Sequence, residues 1–234
     1  MSTTSRRGAA RLYLIGAIVT FAIAGFQLWS YYSGIAESVS LFADTFHAGS
    51  DGVTLLCTVL LLAFRARTNF RLEEGVHRSF TYFNIALLGA GVLLASWQLY
   101  VHRGDTVSPS WAVVVVALLG GLGDFIVWRL LLKVKHSDLP RSLWSNHSAN
   151  VLHIAQDMWQ SVVVVLAGIG IRFGVPYIDT IFGSAITLMI FWEGLGLVYE
   201  EWTGKHFPYH FHLFGASGHH HEKHAREGHK HHHH

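Results

Sequence analysis

Six stretches of mainly apolar residues, at about 12–32, 38–64, 80–101, 110–132, 147–171 and 176–199, constrain this chain more than any other feature. Each is long enough to cross the bilayer, since a helix needs roughly 20 such residues to span about 30 Å of hydrocarbon. Lipid cannot satisfy a free backbone N–H or C=O, so spans of this length must be helices. The pattern predicts an all-α polytopic membrane protein with six transmembrane helices. Composition agrees, with 51% hydrophobic and only 14% charged residues, against about a quarter charged in soluble domains. The opening MSTTSRRGAARLYLIGAIVTFAIAGFQL is basic and then apolar, but no small-residue cleavage site follows its long run, so it reads as the first span and not a signal peptide. The expected organisation is a short N-terminus at 1–11, a transmembrane domain at 12–200 and a tail at 201–234.

Lysine and arginine are retained on the cytoplasmic side of a membrane. With six spans, Arg6, Arg7, Arg11, Arg65, Arg67, Arg71, Arg78, Arg129, Lys133, Lys135, Arg141, Lys205, Lys223, Arg226 and Lys230 fall on one side, and only Arg103 and Arg172 on the other. That asymmetry places both termini in the cytoplasm, and a missed span would scramble it. The absence of a long targeting extension points to a bacterial inner (plasma) membrane. A net charge of +2 without a basic face excludes nucleic acid as a partner, leaving the lipid bilayer. Cys57 is the lone cysteine, so neither a disulfide framework nor a cysteine metal knuckle can form.

The second and fifth spans carry ionisable residues, each costing about 2.5 kcal/mol or more near a span centre and so functional by default. SLFADTFHAGSDGVTLL places Asp44, His47 and Asp51 at i, i+3 and i+7, on one helical face. SANVLHIAQDMWQSVVVV places Asn150, His153 and Asp157 at the same spacing, 106 residues later. An H-x-x-x-D pair sets imidazole and carboxylate one turn apart, able to reach one ion. A lone residue of either kind is as well explained by an interhelical hydrogen bond, but the repeat in the two most polar spans favours a ligand. Two facing pairs supply two neutral and two anionic donors, a set that suits tetrahedral Zn²⁺, with Cd²⁺ and Co²⁺ behind it. Ca²⁺ and Mg²⁺ prefer oxygen shells.

These motifs resemble those of the cation diffusion facilitators. The second-span signature is similar at Ser40, Leu41, Ala43, Asp44, His47, Ser50 and Asp51, the fifth-span signature at Leu152, His153, Asp157 and Ser161, and the aspartate opening the sixth span at Asp179. The resemblance covers about residues 12 to 200. It implies export of Zn²⁺ and related divalent cations in exchange for protons, a transport site at His47, Asp51, His153 and Asp157, and a homodimer. A two-histidine, two-aspartate site is associated in that family with zinc preference. Two departures stand out. The residues after the sixth span are too few for the family's usual cytoplasmic α/β domain, and KVKHSDLPRSLWSNHSAN offers only His136 and His147 where a histidine-rich loop is frequent. Asp124 stands near the expected fourth-span asparagine and could add a proton or cation site.

Histidine titrates near neutrality, so such a cluster can hold metal or protons. Asp44 and Asn150, one turn before each histidine, could orient the rings or relay protons, although packing polarity explains Asn150 equally well. The tail ends in GHHHEKHAREGHKHHHH, where His219, His220, His221, His224 and His229 could capture metal in the cytoplasm. Glu222, Lys223, Arg226 and Glu227 interrupt it, favouring a natural tail over a purification tag. His206, His210 and His212 read as interfacial neighbours of Trp202, Phe207 and Tyr209. Glu37, Glu193, Glu200 and Glu201 receive no ligand role. The glycines of GLLGAGVLLA and ALLGGLGDF read as helix-packing positions and not nucleotide loops. Three rivals remain: a haem-binding electron-transfer protein using His47 and His153, a membrane metal sensor, and an intramembrane zinc hydrolase, for which no H-E-x-x-H motif is present.

Overall fold

The computed structural model describes residues 3–64, 70–101, 111–140, 143–175 and 177–203. They form six helices: α1 (Thr3–Tyr32), α2 (Val39–Phe64), α3 (Phe70–Val101), α4 (Ala112–Leu131), α5 (Trp144–Arg172) and α6 (Ile178–Thr203), with a short 3₁₀ turn at His136–Asp138 before α5. All six are long and apolar enough to cross a membrane, and no strand occurs among the described residues. The helices α1 and α3 begin well before their apolar spans, because polar and basic residues continue a helix beyond the hydrocarbon without penalty. The segments between helices are short, so successive spans alternate in direction. An even number of spans brings both ends of the chain to one face of the bundle. The tail histidines His219, His220, His221, His224 and His229, together with His206, His210 and His212, lie outside the described residues.

α2 is the hub, packing against α1, α3, α5 and α6, while α4 joins α1 to α5 and α3 lies against α6. Close approach depends on small residues, as membrane helices have no hydrophobic drive to associate. A Cβ at Gly123 of α4 would run into the Ile23 side chain of α1, and one at Gly91 of α3 would stand 2.7 Å from the Phe46 Cβ of α2. The helices α1 and α5 end alike. Gly34 and Gly174 adopt φ of 74° and 71°, and the next residue's N–H reaches five positions back, from Ile35 to Ser30 and from Val175 to Gly170. This is the left-handed glycine closure that satisfies a helix's last carbonyls.

Two apolar clusters form the core. One, towards the chain ends, gathers Tyr13, Leu55, Leu62, Val127, Leu131 and Ile154. The other, towards the opposite face, gathers Leu41, Phe42, Leu88, Val116, Val164 and Ile190. The polar residues of α2 and α5 lie between them. Outside, aromatic side chains such as Trp29, Trp97, Trp111 and Tyr177 are exposed near helix ends, where amphipathic rings favour the membrane interface.

The start of α2 is held by α6. Buried Asp179 accepts hydrogen bonds from the N–H groups of Val39 and Ser40, at 2.7 and 3.1 Å, and from the hydroxyls of Ser38 and Ser40, at 2.7 and 2.6 Å. The first N–H groups of a helix lack intrahelical partners and carry the positive end of its dipole. A carboxylate from a neighbouring helix answers both needs. Gly183, one turn along α6, makes room: a Cβ there would stand 3.1 Å from the Ser40 nitrogen. Replacing Asp179 by alanine strands these donors and should lower the stability of the detergent-solubilised protein by about 2–4 kcal/mol. A thermal unfolding midpoint clearly below wild type, partly restored in Asp179→Asn, is the expected result.

Candidate metal centre

His47, Asp51, His153 and Asp157 converge between α2 and α5, each offering one atom so that all four atoms lie within 4.8 Å of one another. The pairing is crossed. Nε2 of His47 on α2 lies 2.6 Å from Oδ1 of Asp157 on α5, and Nε2 of His153 on α5 lies 2.9 Å from Oδ1 of Asp51 on α2. The second aspartate is also near His47, at 3.8 Å from its Nε2. Both inward ring nitrogens therefore face carboxylate oxygens, contacts that a proton or a cation can bridge. His47 is 1% exposed and the two aspartates are almost as buried, whereas the side chain of His153 is 34% exposed. Asp157 Oδ2 is buried without a hydrogen-bond partner, an acceptor that a cation would satisfy.

The rings of His47 and His153 have centroids 5.1 Å apart, with both aspartates reaching into the same space. In this arrangement no slot for a porphyrin opens between the two rings. Two imidazole nitrogens and two carboxylates in so small a volume match the donor types and number of a four-coordinate zinc site.

A cavity of about 320 Å³ lined in part by Thr54, Thr58, His77, Asn84, Asn150 and Glu200 lies in the half of the bundle nearer the chain ends. Thr54 and Asn150 also border a gap of about 10 Å³ beside Asp51 and His153, room for about one water. Asn150 thus stands at the narrow point between cavity and cluster, with its Nδ2 buried and unbonded. Beyond the cluster, the apolar side chains of Phe42, Leu88, Val164 and Ile190 close the opposite side.

The remaining candidates are placed as follows. Asp44 accepts a hydrogen bond from Gln27 of α1 at 2.8 Å, and Asp124 accepts one from Ser161 of α5 at 3.2 Å. Ser50 donates to Asn84 of α3 at 2.7 Å, and His147 pairs with the Tyr13 hydroxyl at 2.7 Å. Nδ1 of His47 faces Oε2 of Glu193 on α6 at 3.1 Å, an ion-pair approach short of full hydrogen-bond alignment. Gln160 of α5 also reaches the ring, its Nε2 3.3 Å from Nε2 of His47.

Neither Glu193, to which the sequence gives no ligand role, nor Gln160 belongs to the motifs of the second and fifth spans. A signal for Glu193 existed: Asp179, Gly183, Ile186 and Ile190, the buried residues of α6, recur at helical spacing, and Glu193 continues that stripe. Gln160 gave less warning, since a glutamine in a span is readily taken as packing polarity.

Comparison with known families matches residues 13–202 to the cation efflux transmembrane domain. No curated protein matches the chain closely enough to count as a relative. The matched stretch runs from the first helix through the sixth and contains the whole His47, Asp51, His153 and Asp157 cluster. With six membrane-spanning helices and paired His-x-x-x-Asp motifs on the second and fifth, the chain belongs to the cation efflux family, the cation diffusion facilitators, which move divalent cations across membranes.

Proposed function

We propose that this transporter exports Zn²⁺, bound by His47, Asp51, His153 and Asp157, in exchange for protons. The observation that carries the reading is the crossed four-residue cluster, whose donor number and kinds suit tetrahedral zinc and whose two anions balance its charge within a low-dielectric slab. Cd²⁺ and Co²⁺ are secondary cargoes on the same donor chemistry. The lysine and arginine distribution supports both termini in the cytoplasm, and a bacterial inner membrane is the proposed site of action. A second copy of the chain is the expected partner, by resemblance to the family.

The mechanism follows from what the cluster can hold. The cavity and the small gap beside Asp51 and His153 share Thr54 and Asn150 as lining residues, which supports loading of cytoplasmic zinc from that side. Imidazole and carboxylate bind either metal or protons, and the two compete for the same atoms. Rocking of the bundle about the cluster would close that side and part the Phe42, Leu88, Val164 and Ile190 layer on the other, giving alternating access. Protons arriving from outside then replace the departing zinc.

Proteoliposomes containing a zinc-sensitive dye test this directly. Under an imposed pH gradient, wild-type protein should move zinc and respond to reversal of the gradient, whereas binding without flux would identify a sensor. Asp51→Ala and Asp157→Ala should each reduce flux to background while the protein still inserts; undiminished flux in either would sink the four-ligand assignment. Because protons and zinc compete for the same nitrogen and oxygen atoms, the zinc concentration giving half-maximal flux should rise as the pH on the loading side is lowered. Removing residues 216–234 should slow transport only at scarce zinc and leave maximal flux unchanged.

A further inference from the structure

We infer that Glu193 of α6 is a positioning residue for the transport site, holding the His47 ring so that Nε2, and not Nδ1, meets the ion. This deepens the four-ligand reading and rests on it.

The geometry has three parts. His47 is 1% exposed, so its ring must find its polar partners within the protein. Its Nε2 points to the α5 side of the cluster, 2.6 Å from Asp157. Its Nδ1 points the other way, 3.1 Å from Oε2 of Glu193. An imidazole that binds a metal through one nitrogen carries its proton on the other, and an acceptor at that second nitrogen sets both tautomer and ring plane. Glu193 stands where such an acceptor is needed.

No competing role accounts for Glu193 as well. Its oxygen is on the far side of the ring from Asp51 and Asp157, and it does not belong to the set of atoms that converge within 4.8 Å. Its side chain is 28% exposed yet keeps its carboxylate against the ring. His153 is less enclosed, its side chain 34% exposed. The sharper demand for a fixed ring thus falls on His47.

A second consequence concerns α6. This helix contributes nothing to the four-residue cluster, yet two of its carboxylates reach α2: Asp179 caps the start of α2, and Glu193 meets His47. A shift of α6 along α2 would release the His47 ring, which ties ligand geometry to helix position.

The test uses the full chain in lipid nanodiscs, titrated with Zn²⁺ alone. Asp51→Ala combined with Asp157→Ala supplies the baseline for zinc taken up by the histidine tail. ¹⁵N-histidine NMR, with His47 assigned by its loss in His47→Gln, reports which ring nitrogen is protonated. The expected result is a zinc-loaded wild type with His47 protonated at Nδ1, and a Glu193→Ala variant that binds 10- to 100-fold more weakly at the cluster yet still saturates at the wild-type stoichiometry. Glu193→Gln, which keeps an acceptor oxygen, should recover most of that loss and serves if the alanine variant misfolds. Affinity within twofold of wild type in both variants would overturn the proposal, as would a zinc-loaded His47 protonated at Nε2. A fall in saturating stoichiometry in both would also overturn it, making Glu193 a ligand. Baseline and wild-type titrations that coincide would instead defeat the four-ligand reading, a failure distinct from any result at Glu193.

Discussion

Charge placed in hydrocarbon must be answered by other charge, and in this protein the answer is the crossed contact between α2 and α5. His47 meets Asp157 and His153 meets Asp51, so each helix supplies the anion that the other's imidazole needs. Removing one member would leave an ionisable group buried with too few partners, which is costlier than burying none. The same reciprocity is what lets the cluster accept a divalent cation. On the four-ligand reading proposed above, two carboxylates would neutralise the ion and two imidazoles would complete its donor set without adding charge.

The rest of the bundle serves that contact by fixing where α2 lies. Asp179 ties its first turn to α6, Gln27 of α1 holds Asp44, and Asn84 of α3 takes the Ser50 hydroxyl. Glycines in α3, α4 and α6 allow the backbones to come close enough for these short polar side chains to meet. The two apolar clusters sit on either side of the polar layer, and the cavity lined in part by Thr54 and Asn150 lies beside the first of them.

The family match runs along all six spans, and the packed helices bring His47, Asp51, His153 and Asp157 together within that stretch. Glu193 and Gln160, which the motifs do not include, come to the His47 ring only when the helices are packed.

By itself, the sequence determined the six-helix class, because runs of apolar residues of bilayer length admit no other backbone arrangement. It also determined the four converging side chains, because i, i+4 spacing puts each His and Asp on one face and two such faces in a low dielectric must find each other. Contacts between helices were not legible in this way. That Asp44 pairs with Gln27, that Asp179 caps α2, and that Glu193 stands behind the His47 ring depend on rotation and depth of one helix against another. Those quantities come from the summed fit of many side chains and small residues, Gly91, Gly123 and Gly183 among them, and no spacing within a single helix encodes them.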